Sequence, residues 1–88
     1  MHAVVVKLTI DDVDRDDRLL EEQVMPRASG AAGFVAGYWT RSGGSGLSMV
    51  VYESEEAARN LAQMIQSAPP DDGVTLDTVE VREVVANA

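Results

Sequence analysis

Apolar and β-branched residues alternate from His2 to Ile10, with Val4, Val6, Leu8 and Ile10 on one face and Ala3, Val5, Lys7 and Thr9 on the other. That period of two predicts a strand. Asp11 or Asp12 then suits a helix N-cap, and the acids that follow suit the positive end of a helix dipole. Leu20, Val24 and Ala28 recur at helical spacing, flanked by Leu19 and Gln23, which predicts one apolar stripe on a charged helix. Pro26 lacks a backbone donor and should bend or end the regular part, and Ser29-Gly30 closes the segment. Ser54 is a good N-cap for a second helix, with Ala58, Leu61, Ala62, Ile65 and Ala68 as its buried stripe and Pro69-Pro70 as its stop. Val74 to Val85 reads as a final strand whose alternation shifts near Asp77-Thr78, the mark of a bulge.

Between the helices lie two apolar runs, Gly33 to Trp39 and Leu47 to Tyr52, joined by Ser42-Gly43-Gly44-Ser45-Gly46. They predict a β-hairpin. With the turn centred on Gly43-Gly44, one face holds Phe34, Ala36, Tyr38, Leu47, Met49 and Val51. The other holds Val35, Gly37, Trp39, Ser48, Val50 and Tyr52, and a bulge at Gly46 would break this pairing. A hairpin with one wet face would show polar residues at alternate positions. Here both faces are apolar, and two helices cover only one. A second copy of the chain, a ligand, or both must cover the other.

The order is therefore β-α-β-β-α-β in one domain, residues 1–88. It matches the ferredoxin-like plan: an α+β fold with a four-stranded antiparallel sheet and both helices on one face. A chain of this length buries about two-thirds of its unfolded surface, so its core is thin and self-association is a common remedy.

Composition narrows the partners. The chain is 45% hydrophobic and 25% charged, carries a net charge of −8, and has no cysteine. Disulfides, thiol catalysis and cysteine-based zinc sites are excluded. The acidic field disfavours nucleic acid and anionic membrane as partners. RNA-recognition motifs share this element order, but they need basic residues among exposed aromatics, and only Arg41 lies on the hairpin. No apolar run is long enough to span a membrane and no export signal opens the chain, so a cytoplasmic location is expected. The acidic runs at Asp11–Asp17 and Glu53–Glu56 read as solvated helix starts.

Pro26, the run Gly33-Phe34-Val35-Ala36-Gly37-Tyr38-Trp39, the glycine turn, and Val50-Val51-Tyr52-Glu53-Ser54-Glu55-Glu56-Ala57-Ala58 together resemble the dimeric α+β-barrel superfamily. The nearest likeness is to its small antibiotic-biosynthesis-monooxygenase-type members, and it covers nearly the whole chain. It implies a homodimeric barrel, two sheets packed bare face to bare face, with a pocket between sheet and helices in each subunit. It also implies a cofactor-independent monooxygenase-like activity on a small apolar or aromatic molecule, with neither metal nor flavin. Haem-degrading members use a pocket histidine and asparagine. The only histidine here is His2, and the asparagines are Asn60 and Asn87, so that role does not transfer.

The candidate substrate-binding residues are Trp39, Tyr38, Tyr52, Asn60 and Arg41. Trp39 reads as the aromatic wall of a pocket, with Gly37 leaving room for a flat ligand, or as a core or interface aromatic. Tyr38 and Tyr52 read as donors to a developing oxyanion or as rim residues with wet hydroxyls. Arg41 could pair a substrate carboxylate or enolate, or an acid of the chain such as Glu53. His2 follows the first residue and lacks an evident partner, and no metal-ligand set, phosphate loop or serine–histidine–acid constellation is present. The alternative to an enzyme is a non-catalytic homodimer that binds a small apolar ligand or serves as an assembly unit.

Overall fold

The computed structural model describes all 88 residues. Four strands, β1 (His2–Ile10), β2 (Phe34–Ser42), β3 (Ser45–Tyr52) and β4 (Val74–Glu83), form one sheet in the order β2-β3-β1-β4. All neighbouring pairs are antiparallel, an arrangement compatible with a ferredoxin-like fold. The predicted first helix has three parts: α1 (Val13–Leu19), a π-helical segment (Leu20–Val24) and α2 (Met25–Gly30). The second helix, α3, runs Glu55–Ser67.

Local chemistry explains the boundaries. Asp12 caps α1 by accepting from the Arg15 amide at 3.1 Å, and Ser54 caps α3 by accepting from the Ala57 amide at 3.1 Å. Pro26 has no N–H for the Glu22 carbonyl, and its ring crowds that carbonyl. The helix responds with wider turns, the Met25 amide reaching back five residues to Leu20. Sequence periodicity predicted a bend here and did not anticipate a π turn. Gly43 has a positive φ (59°) in the tight β2–β3 turn and Gly44 does not, the φ pattern of a type II′ hairpin.

The predicted hairpin register holds from Gly37↔Val50 through Tyr38↔Met49 and Trp39↔Ser48 to Ser42↔Ser45. It fails at one place. The ladder shifts between Phe34 and Ala36, pairing Phe34 with Tyr52 and leaving Val35 as the extra residue. Phe34 therefore lies on the helix-covered face, its ring edge-on to Tyr52 at 6.0 Å between centroids, and Val35 is exposed. The predicted irregularity in β4 is present: Lys7 pairs with Thr78 and Leu8 with Leu76, so Asp77 is bulged and accepts from the Thr9 hydroxyl at 2.8 Å.

The core lies between sheet and helices. Val4, Val6, Val50 and Tyr52 of the sheet pack against Ala28 of α2 and Ala58, Leu61 and Ala62 of α3. Ala68, expected to continue the α3 stripe, lies beyond the helix and is exposed. The opposite sheet face carries Tyr38 at 65% exposure, with Leu47 and Met49 each at 46%, and no element of the chain covers it. Lys7, Glu80 and Arg82 share that face along β1 and β4, with Arg82 donating to Glu80 at 2.8 Å.

Candidate functional site

A cavity of about 140 Å³ lies between the sheet and the helices. Val6, Leu8, Trp39, Ser48 and Val50 form its sheet wall, and Leu19, Leu20, Val24, Leu61 and Ile65 form most of its helical wall. The π segment supplies Leu20 and Val24, so the helical irregularity is part of the lining. Two polar side chains reach this wall, Ser48 from β3 and Asp16 from α1, and both residues are buried (6% and 5% exposed). The Ser48 hydroxyl makes no hydrogen bond within the chain.

Asp16 belongs to an acidic run that reads as solvated helix start, yet its side chain is only 7% exposed. One carboxylate oxygen accepts from Arg41 at 2.9 Å. The same guanidinium donates at 2.9 Å to Asp17, which is half exposed. Burial raises the Asp16 pKa from its ordinary value, against the pull of Arg41 and with help from the Asp17 charge. One guanidinium between two carboxylates leaves this cluster one negative charge in excess.

The five predicted site residues do not converge on one pocket. Trp39 lines the cavity. Its ring also occupies the space above Gly37, where an added Cβ would come within 2.5 Å of the indole, so the room beside Gly37 is filled by Trp39 itself and not open to a flat ligand. Arg41 lies at the Asp16 edge and is engaged by Asp16 and Asp17, not by Glu53. Tyr38 alternates with Trp39 along β2 and points to the uncovered face. Tyr52 is fully buried, and its hydroxyl donates to the Ala28 carbonyl at 2.8 Å, so it is neither wet nor free. Burial raises its pKa, which keeps the phenol a neutral donor. Asn60 lines a separate open groove of about 380 Å³ with Arg27, Glu53, Glu56 and Met64.

Sequence reasoning missed Asp16 and Ser48. The usable signal was the same-face spacing of Trp39 and Arg41 on β2, which sets a cation beside the cavity and calls for an acid from the helix above. His2 is not part of the cavity. Its Nε2 lies 3.9 Å from Glu55 and its Nδ1 is buried without a partner. No group of three or more histidine, cysteine or acidic residues is placed to hold a metal ion. No helix is long and apolar enough to cross a membrane. No family model matches the chain, and no curated protein matches it.

Proposed function

We propose that this protein is a homodimeric α+β-barrel protein that binds a small apolar molecule in the cavity between its sheet and helices. The observation that carries the reading is the cavity itself: set between the layers, almost wholly apolar, and bounded by two buried polar groups. Ligand sites have this make-up, an apolar wall with few placed polar groups. A cavity of about 150 Å³ lined by aliphatic and aromatic side chains holds a benzene-sized guest. The cavity here is about 140 Å³, which sets the occupant at one ring or a short branched chain. Titrating single-ring ligands against Trp39 emission tests this, because Trp39 is the only indole and lines the site. Saturable changes at micromolar to millimolar ligand are expected. A Ser48→Leu variant, which intrudes on the cavity, should weaken them, and an unresponsive wild-type protein would refute the reading.

The dimer is proposed from the uncovered sheet face. Tyr38, Leu47 and Met49 form an apolar patch that a second sheet would desolvate, and Lys7, Arg82 and Glu80 supply charges of both signs at its margin. Sedimentation should give a dimer at micromolar concentration, and Met49→Lys should shift it to a folded monomer. A wild-type protein sedimenting as a monomer at that concentration would refute the barrel.

A catalytic version of the same site is favoured by Asp16, a buried carboxylate with a raised pKa on the cavity wall. In a cofactor-independent oxygenation, a carboxylate takes a proton from an activated methylene, and the carbanion reduces dioxygen. One oxygen atom becomes the new carbonyl oxygen. The other leaves as water with both methylene hydrogens, so no outside reductant enters. Tricyclic substrates exceed the present cavity, and single-ring activated ketones fit it better. Oxygen uptake with such ketones that disappears in Asp16→Asn would support this version. Uptake no greater than that of buffer would leave the binding function alone.

A further inference from the structure

We infer that the cavity selects a small primary amine, with the apolar body inside and the ammonium group held between Asp16, Ser48 and Trp39. This rests on the reading of the cavity as a ligand site and goes further by naming the head group. Three observations carry it. First, Ser48 is buried, lines the cavity and has no hydrogen-bond partner within the chain, so its partner is water or a ligand atom in the cavity. Second, Asp16 commits one carboxylate oxygen to Arg41, and the other accepts no hydrogen bond. An ionised carboxylate only accepts, so its partner must donate. Third, the Asp16–Arg41–Asp17 cluster holds two acids against one base, an excess that a cation would neutralise.

An ammonium group meets all three demands. It donates up to three hydrogen bonds, to the free Asp16 oxygen, to the Ser48 oxygen and to water at the edge where Arg41 is partly exposed. Trp39 lines the same cavity, and an indole is the best aromatic partner for a cation. An anion is repelled by the cluster and by the net charge of −8. A neutral hydroxyl satisfies Asp16 and leaves the excess charge uncompensated.

Trp39 fluorescence and calorimetry with benzylamine, benzyl alcohol, toluene and benzoate near neutral pH test the inference. Benzylamine should bind at least about tenfold more tightly than benzyl alcohol or toluene, the worth of a hydrogen bond to a charged group, and benzoate should not bind. Asp16→Asn should lower benzylamine affinity by at least about tenfold, toward that of toluene. Ser48→Ala should weaken benzylamine by a smaller factor. Toluene or benzyl alcohol binding as tightly as benzylamine would overturn the head-group assignment while the cavity reading stood. Failure of all four to bind would overturn the cavity reading instead. The wild-type series needs no variant, so it decides even where Asp16→Asn costs stability.

Discussion

Gly37 and Trp39 share one space on the covered face of β2. The indole lies where any Cβ at 37 would project, so Gly37→Ala forces the ring toward the cavity or the strand away from α2. The expected cost is about 1–3 kcal/mol, typical of overpacking, with a shift in Trp39 emission. Urea denaturation followed by that emission checks both. At this scale the sequence was informative where strand parity decides. Trp39 and Tyr38 must face opposite ways because they are adjacent on a strand, so the expectation that both bind one substrate ran against a constraint the sequence itself carries. Asp16 was not legible in the same way. Five aspartates crowd the start of the first helix, and only the fold reveals which of them turns toward Arg41.

Elements are joined here by a few specific bonds. The last four carbonyls of a helix have no partner within it. The Ala28 carbonyl is one of these in α2, and the buried Tyr52 hydroxyl of β3 satisfies it. Tyr52→Phe keeps the ring packing and leaves that carbonyl dry and unpaired. It should cost about 1–3 kcal/mol and speed hydrogen exchange in α2 more than in α3. Ser54→Ala removes the α3 cap and should lower the midpoint of urea unfolding by the equivalent of about 1 kcal/mol. The hairpin register could be read from the glycine turn because every opposed pair follows from its centre. The shift at Val35 could not. It occurs just after Gly33, whose left-handed backbone (φ 84°) turns the chain into β2, and nothing in the apolar pattern distinguishes a bulged valine from a paired one.

For the whole molecule, two aspartates set opposite pH responses. Asp71 accepts from Arg15 at 2.8 Å and from the Gly73 amide at 3.0 Å, contacts that lower its pKa. Its contribution is present above the ordinary carboxylate pKa and is lost as pH falls through its lowered value. Burial raises the Asp16 pKa, so its contribution is full below the ordinary carboxylate pKa and lost as pH rises through the raised value. Urea unfolding between about pH 3 and pH 7 should show Asp71→Asn losing stability chiefly at the upper end. Asp16→Asn should remove the decline in stability on the alkaline side of the carboxylate range. The α+β class and the uncovered sheet face were legible in the sequence because both follow from alternation over long strands. The cavity was not, since a void between layers depends on how the pieces of the first helix ride over the sheet.

A regular α-helix advances about 100° per residue, so the twelve steps from Asp16 to Ala28 would leave the two about 120° apart, one toward the sheet and one away from it. The π turn absorbs one step and brings them to within about 20°, and both are in fact buried. The surplus residue around Pro26 thus acts as a phase corrector between two half-helices. Deleting one exposed position there, such as Gln23, together with replacing the proline should give a straight helix with Asp16 and Ala28 still aimed at the sheet.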